Sequence, residues 1–204
     1  GSGKTTFATQ LNEIWNYTRK TDEPLSETLQ LDKYFCLSSK DRKIWIDKGK
    51  KIGEVEYLKR SNNLVWFNLE KFYKDIALLK IGKPLYLRNV YNKKDGELTD
   101  SINIIPNKKG LILFVEGVYL LHFDPSLFDL LIYIHRSTDN RRMSIRGRDG
   151  HRKSEDALNE RWAETQKSEI PYIKEYIYRV NMIIDFTNMQ SIKVISVDYL
   201  LSLL

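Results

Sequence analysis

The chain opens with Gly1-Ser2-Gly3-Lys4-Thr5-Thr6, which matches the end of the phosphate-binding loop pattern G-x-x-x-x-G-K-[ST]. Gly1 and Gly3 can turn the backbone tightly and direct N–H groups toward phosphate oxygens. Lys4 can place its ammonium group against the β and γ phosphates of a nucleotide, and the Thr5 hydroxyl can bind Mg²⁺. The motif therefore favours a fold in which a buried strand leads through a glycine-rich turn into a helix.

The residues after the motif predict a helix whose N-terminus faces the anion. Apolar side chains recur at helical spacing from Phe7 to Trp15, and a helix N-terminus favours bound phosphate. The strand that normally precedes such a loop has no counterpart in this sequence, so we expect the natural protein to have residues before Gly1. The alternative is a flexible Gly/Ser start followed by a charged helix, which the matching motifs downstream make the weaker interpretation.

Composition limits the class of protein. The chain has 204 residues, enough for one α/β domain with a substantial core. Its longest apolar run, 111–121, is interrupted by Glu116 and Gly117, so no segment is long enough to cross a bilayer. Cys36 is the only cysteine; it excludes an internal disulfide, fits a cytoplasmic location and is expected to be buried. The net charge of +6 is spread along the chain without a nucleic-acid-binding signature, so we expect neither a nucleic-acid nor a membrane partner.

Hydrophobic patterns predict alternating strands and helices. A short strand-like run, 28–31, ends at Asp32. Apolar runs typical of buried sheet strands occupy 111–115, 130–134, 182–184 and, less clearly, 193–197. Helices are predicted from an Asn68 cap to Gly82, over about 138–148, and over 154–178 with a break or kink at Pro171. This order predicts a three-layer α/β fold, with a parallel sheet, helices on both faces and right-handed crossovers.

Two further segments lie between these elements. The charged stretch 41–60 predicts a loop or short helices. Strands over 84–91 and 98–105, joined by a turn with an Asp-Gly pair, predict a β-hairpin inserted on the substrate side of the domain. We expect Trp66 and Phe67 to pack in the core, whereas Tyr91 at the hairpin tip either packs there or lines a pocket.

Two carboxylates follow predicted strands. Glu116 comes directly after the run 111–115, and Asp32 follows the first recognisable strand. Ligands bind at the carboxyl edge of parallel sheets, so Glu116 can share a Mg²⁺ ion with Thr5, and Asp32 can position an alcohol and receive its proton. The alternatives are a solvent-facing acid at position 116 and a helix-capping acid at position 32.

A basic segment follows the strand at 130–134. Five arginines fall between Arg141 and Arg152, and guanidinium groups bind phosphate through paired hydrogen bonds. Gly147 and Gly150 could serve as hinges, so we interpret 138–152 as a lid that closes over a nucleotide. The alternative is a solvated basic helix.

Together these motifs resemble the uridine kinase and phosphoribulokinase-like family of P-loop kinases, most closely its bacterial uridine kinase-like branch. The resemblance runs from Gly1 to about Phe186 and rests on the phosphate loop, the arginine-rich segment, and the stretches Leu31-Asp32-Lys33-Tyr34-Phe35, Phe114-Val115-Glu116-Gly117-Val118, Arg161-Trp162 and Tyr172-Ile173. It implies that 1–204 form a single P-loop NTPase domain of the nucleoside and nucleotide kinase type.

The resemblance also implies an activity and the residues that carry it. The expected reaction moves the γ-phosphate of ATP or GTP, with Mg²⁺, to a hydroxyl of a small molecule, which is a nucleoside for the uridine kinases. The nucleotide would bind Gly1, Ser2, Gly3, Lys4, Thr5 and Thr6, and the metal would bind Thr5 and Glu116. The catalytic residues would be Lys4, Asp32, Arg141, Arg146 and Arg148. The acceptor would contact Asp32, Tyr34, Asn62, Tyr91 and Arg148.

Two departures from the family pattern concern the acceptor. Asn62 stands where family members carry the acid that binds ribose, and Gly96 stands where nucleoside enzymes carry a histidine that reads the pyrimidine. The transfer machinery is therefore kept while acceptor recognition is altered. The alternatives to a uridine kinase are a kinase for another small alcohol, such as pantothenate, a different riboside or a sugar phosphate, and a non-catalytic nucleotide-binding regulatory module. Whether the chain forms a homo-oligomer is left open.

Overall fold

The computed structural model describes residues 2–150 and 154–204. The helices are α1 Lys4–Thr18, α2 Ser39–Ile52, α3 Glu54–Ser61, α4 Leu69–Lys80, α5 Thr138–Asp149, α6 Glu155–Tyr176 and α7 Val197–Leu203. The strands are β1 Leu25–Gln30, β2 Leu85–Val90, β3 Asp100–Ile104, β4 Leu111–Glu116, β5 Ile132–His135, β6 Met182–Asp185 and β7 Lys193–Ile195. Short 3₁₀ helices occupy Leu31–Tyr34, Asn63–Trp66, Leu120–His122, Pro125–Leu127 and Ile177–Arg179.

Contacts between Cα atoms divide the chain into two compact units, Thr5–Leu120 and Gly1–Lys4 with Leu121–Leu204. Both units combine parallel strand pairs with helices, which confirms the α/β class. None of the helices in the described part of the chain is long and apolar enough to span a membrane.

In the unit Thr5–Leu120, β1 and β4 run parallel, from the pair Leu25–Leu111 to the pair Gln30–Glu116. Helix α1 is fastened to β1 by side chains on its inner face. The Asn16 amide donates to the Ser26 carbonyl (2.9 Å) and accepts from the Ser26 N–H (3.1 Å). The start of α1 and the ends of both strands are therefore held within one packed unit.

The first strand differs from its prediction at both ends. It begins at Leu25 and ends at Gln30, and Leu31 and Asp32 belong to the 3₁₀ helix that follows. Leu31 is fully buried, and a Cβ at Gly117 would lie 2.6 Å from the Leu31 Cβ. Only glycine at position 117 permits this approach, which brings the end of β4 against the turn that carries Asp32.

Helix α4 agrees with its sequence pattern. The Asn68 side chain accepts a hydrogen bond from the Lys71 N–H (3.0 Å), which satisfies a free donor at the helix start. The residues at helical spacing on its inner face are buried, namely Phe72, Ile76 and Leu79. Strands β2 and β3 pair antiparallel, with an irregularity between Arg88 and Val90.

The stretch 41–60 forms helices, which was one of the two predicted alternatives: α2 and α3 follow each other across Gly53, whose φ of 149° breaks the helix between them. Two other predictions for this unit need correction. Residues 111–115 are half-buried, whereas their apolar run predicted a strand that is covered on both faces. Cys36 is exposed because it follows the 3₁₀ helix in a surface turn.

In the unit with Leu121–Leu204, β5 and β6 are parallel and β7 is antiparallel to β6. The prediction of a further buried parallel strand at 193–197 is therefore wrong: β7 is short and its first two residues are exposed. Helix α6 continues through Pro171, so the helix is not broken at this residue. Gly147 lies inside α5, so the backbone there is helical rather than a loop hinge.

Candidate active site

Asp32 and Glu116 come together because β1 and β4 end side by side. Gln30 pairs with Glu116 in the parallel register, and neighbouring strands lie about 4.8 Å apart. Asp32 follows Gln30 by two residues, at the start of the 3₁₀ helix. The sequence-based expectation that both acids lie at the carboxyl edge of this strand pair is confirmed.

The Thr5 hydroxyl reaches the same place. Its Oγ1 donates a hydrogen bond to Glu116 Oε1 at 2.7 Å, and the Glu116 carboxylate is buried, with 8% of its surface exposed. Thr5 occupies the second position of α1, directly after Lys4. The helix that follows the phosphate-loop motif thus presents a hydroxyl to the strand-end carboxylate.

Lys93 links the two acids. Its Nζ lies 2.9 Å from Asp32 Oδ2 and 3.2 Å from Glu116 Oε1. Burial alone would lower the pKa of Lys93, but the charges of Asp32 and Glu116 outweigh it and raise the pKa. The ammonium group therefore stays charged and neutralises part of the negative charge that the two acids bring together.

The oxygen atoms at this site suit a hard divalent cation. Magnesium is typically bound by one or two carboxylates, with substrate phosphates and water completing its shell. Thr5 offers a hydroxyl oxygen and Glu116 a buried carboxylate oxygen, and these atoms are 2.7 Å apart. The donor set therefore fits a magnesium site.

The phosphate-loop residues are described from Ser2 onward, and Gly1 lies outside the described residues. Gly3 has a φ of 89°, which glycine adopts without strain and which turns the backbone into α1. The Lys4 Nζ donates a hydrogen bond to Ser2 Oγ at 3.3 Å. Thr6 lies on α1 and is exposed.

Tyr91, one of the predicted acceptor residues, precedes Lys93 by two residues. It directly follows β2, is buried, and its hydroxyl lies 2.8 Å from Ser39 Oγ. Its ring meets Phe35 edge-on, with ring centres 4.8 Å apart. Phe35 in turn stacks on Phe67 at 4.3 Å. These rings form an aromatic cluster beside the turn that carries Asp32.

Tyr34 and Asn62 do not join this cluster. Tyr34 is buried and donates to Asp75 Oδ2 at 2.9 Å, so the 3₁₀ helix directs its hydroxyl into the core and we exclude it from the acceptor site. Asn62 is exposed and accepts a hydrogen bond from the Leu64 N–H at 3.0 Å. Its side chain caps the local 3₁₀ helix, a role that asparagine often takes at such positions.

The predicted lid arginines lie on α5. Arg141 is buried and its guanidinium stacks over Trp162, 5.6 Å from the ring centre. Arg146 is exposed and forms an ion pair with Glu155. Arg148 belongs to the same helix, but its side chain lies outside the described part, as do His151 and Arg152. The lid stays a prediction.

Two basic residues near Asp32 and the aromatic cluster were missed by sequence reasoning. Lys93 follows Tyr91 by two residues in the turn after β2, and Arg42 lies on α2 against the aromatic cluster. Lys93 could have been suspected, because a site with two converging acids needs a cation to offset their charge. No local signal distinguishes Arg42 from the other basic residues of α2.

The site geometry agrees with the comparison with protein families. The model of the phosphoribulokinase / uridine kinase family matches residues 1–193. No curated protein matches the chain significantly. The protein therefore belongs to the phosphoribulokinase / uridine kinase family, whose members are ATP-dependent kinases that act on a hydroxyl group of a small molecule.

Proposed function

We propose that the protein is a uridine kinase-like enzyme that transfers the γ-phosphate of ATP, with Mg²⁺, to a hydroxyl of a nucleoside. The observation that supports this most is the meeting of Asp32, Glu116, Thr5 and Lys93 at the ends of β1 and β4. A base, a buried metal-binding carboxylate and a hydroxyl from the phosphate-loop helix are the groups that phosphoryl transfer needs in one place.

The nucleotide side of this proposal rests on the phosphate-loop motif. Backbone N–H groups of Gly1 to Gly3 and the side chains of Lys4 and Thr6 would bind the phosphates. Thr5 and Glu116 would hold Mg²⁺, which when bound offsets charge on the phosphate oxygens. Lys4 would bind the transferring group and stabilise its developing charge.

Asp32 would orient the acceptor hydroxyl and receive its proton. Its carboxylate is held by Lys93 at 2.9 Å, so its orientation is fixed before substrate arrives. Lys93 therefore acts as a positioning residue for Asp32 in this proposal.

Arginines of α5 would supply further positive charge. We propose that Arg146 and Arg148 bind the phosphates when the lid segment closes, and that Arg146 exchanges its exposed partner Glu155 for the nucleotide. Exposed ion pairs are weak, so this exchange costs little. Arg141, which is buried against Trp162, would contribute through the position of α5.

One observation favours a second candidate, a kinase for another small alcohol. Gly96 has a φ of 79°, and a Cβ at this position would lie 2.9 Å from Ser39 Oγ. The histidine that contacts the pyrimidine in nucleoside enzymes is therefore absent at this position, and any side chain there would collide with Ser39. Asn62 stands in place of the ribose-binding acid, and its side chain instead caps the 3₁₀ helix that begins at Asn63.

The test is transfer of radiolabelled γ-phosphate from ATP to a panel of nucleosides and other alcohols. The proposal expects a labelled nucleoside phosphate, and Asp32→Asn should lower kcat by a factor of 100 or more, on the scale of about 10²–10⁴ for general-base catalysis, while ATP binding changes little. Labelling of a different alcohol would replace the first candidate by the second. Tight ATP binding without transfer to any acceptor would support a regulatory nucleotide-binding module instead.

A further inference from the structure

Arg42 places its guanidinium group against two rings of the aromatic cluster beside Asp32, those of Phe35 and Tyr91, and against Trp66. Its central carbon lies 4.1 Å from the ring centre of Phe35, 5.0 Å from Trp66 and 5.7 Å from Tyr91. Three aromatic rings therefore lie within about 6 Å of the guanidinium carbon. Such contacts attract a cation, but they use the ring faces and leave the N–H donors free.

The donors of Arg42 have no acidic partner. Its Nη1 atom is buried and makes no hydrogen bond, and no ion pair to Arg42 is found in the parts of the chain that the structure describes, 2–150 and 154–204. An arginine side chain cannot lose its charge in a protein. A buried N–H of a charged group that lacks a partner lowers stability, so this arrangement suggests a group that is supplied from outside.

The nearby acids are already paired. Asp32 binds Lys93, and Asp100 binds Lys33 at 2.5 Å. Asp41, the neighbour of Arg42 on α2, accepts a hydrogen bond from Ser38 Oγ at 2.8 Å. Within the described part of the chain, these three carboxylates are therefore engaged with other groups and do not pair with Arg42.

The cluster also lies within reach of the proposed reaction centre. Phe35 follows Asp32 by three residues, so their Cα atoms are at most about 11 Å apart. Tyr91 precedes Lys93 by two residues, which limits that Cα separation to about 8 Å. The chain segments that carry Asp32 and Lys93 thus lead directly into the cluster, within the length of a small-molecule substrate.

We infer that Arg42 binds an anionic group of the acceptor, so that the preferred substrate is an alcohol that also carries a carboxylate or a phosphate. This inference rests on the proposed kinase activity; it favours the second candidate, a kinase for an alcohol other than a nucleoside, and specifies the class of that alcohol. The guanidinium fork matches the paired oxygens of either anion. The rings of Phe35, Trp66 and Tyr91 hold the fork in place and pack against the carbon skeleton of the acceptor.

The experiment compares acceptors that differ in charge alone. Pantothenate is paired with its neutral alcohol pantothenol, and ribose 5-phosphate with ribose, so the two arms separate a carboxylate from a phosphate. Binding is measured by calorimetry without nucleotide, and phosphoryl transfer is measured with ATP. We expect wild-type protein to bind at least one charged compound at least tenfold more tightly than its neutral partner.

The variant Arg42→Gln should abolish this preference and leave the neutral compounds and ATP unaffected. Arg42→Lys keeps the charge but loses the fork, and should retain part of the preference. Arg88→Gln, on the exposed face of β2, is the matched control and should behave as wild type. Thermal unfolding of each variant shows whether a lost preference reflects lost structure.

The outcomes separate this inference from the kinase proposal. The anion site is overturned if the wild type binds charged and neutral compounds equally, or if Arg42→Gln affects the binding of both equally. In either case the kinase proposal is still supported if a neutral alcohol is phosphorylated. Charge-selective binding that depends on Arg42, without transfer to any acceptor, supports the anion site and counts against the kinase.

Discussion

The ammonium group of Lys93 lies 2.9 Å from the carboxylate of Asp32. The same nitrogen is 3.2 Å from Glu116, so the nearest carboxylate oxygens of the two acids lie at most about 6 Å apart. Two carboxylates at this separation repel each other, and a shared cation relieves the repulsion. Lys93 thereby connects the proposed base to the proposed metal ligand.

We expect Lys93→Met to lower kcat at least tenfold. Without the ammonium group, Asp32 loses the partner that orients it, and its repulsion from Glu116 is no longer offset. Steady-state kinetics with the acceptor identified by the transfer assay measure the change, and Lys93→Arg should recover part of the rate because it restores the charge.

Lys94→Met is the control for Lys93, since Lys94 is the next residue in the turn and is exposed. It should leave kcat within about twofold of wild type, as for most exposed substitutions. If Lys93→Met and Lys94→Met had the same kinetics, the bridging role of Lys93 would be excluded.

Thr5→Ala should weaken magnesium-dependent nucleotide binding by a factor of ten or more. The substitution removes the oxygen that lies 2.7 Å from Glu116 Oε1, and with it one of the two proposed protein ligands of the ion. Fluorescence titration of a labelled ATP analogue, with and without Mg²⁺, separates metal-dependent from metal-independent affinity.

Serine keeps the hydroxyl, so Thr5→Ser should bind nucleotide much as wild type does. Thr9→Ala alters an exposed threonine on the same helix and should have no effect. Loss of affinity that is equal with and without Mg²⁺ would show that Thr5 acts on the nucleotide by another route.

Tyr34→Phe should lower the free energy of unfolding by about 1–3 kcal/mol, the usual cost of leaving a buried polar group with one partner fewer. The hydroxyl donates to Asp75, which is 5% exposed; among the described residues, Lys71 would remain as its partner in the variant. Burial, reinforced by Asp75, raises the pKa of Tyr34, so the phenol stays protonated and can donate. Urea unfolding measures the loss.

Tyr73→Phe provides the comparison for Tyr34, because Tyr73 is on the neighbouring helix α4 and is half exposed. The free energy of unfolding of Tyr73→Phe should differ from that of the wild type by less than about 0.5 kcal/mol. Nucleotide binding should be normal in both variants, in keeping with the exclusion of Tyr34 from the acceptor site.

The parts of the site that depend on local patterns could be predicted from the sequence. The apolar run 111–115 indicated a strand, and the parallel arrangement then placed Glu116 and Asp32 at one edge. Asn68 and the spacing of Phe72 and Ile76 likewise indicated α4. These features depend on strand and helix periodicity, which a single sequence carries.

The contacts between segments distant in the chain could not be predicted in this way. Lys93 meets Asp32 only because the turn after β2 lies against the end of β1, and that docking leaves no periodic signal. Tyr34 lies in the same 3₁₀ helix as Asp32, two residues further on, yet its side chain points into the core. Residue type and spacing identified the chemistry, whereas tertiary packing decided which side chains take part.

His135 gives a pH dependence in the unit with Leu121–Leu204. It is 4% exposed at the end of β5, paired in register with Asp185. Burial lowers the pKa of His135; Asp185 opposes this shift, and Arg141 adds to it. The folded protein thus binds the proton less readily than the unfolded chain, whose histidine pKa is about 6.5.

Because the folded-state pKa is depressed, the stabilising contribution of neutral His135 is complete above the unfolded pKa and is lost as the pH falls below it toward the folded pKa. Urea unfolding at pH values from about 7.5 down to about 5.5, on either side of the unfolded histidine pKa, should therefore show a falling free energy of unfolding. His135→Gln removes the titrating group and should flatten this slope, even if it lowers stability at every pH. His122→Gln, which alters an exposed histidine, should keep the wild-type slope. A slope unchanged by His135→Gln would mean that another group governs the loss of stability in this range.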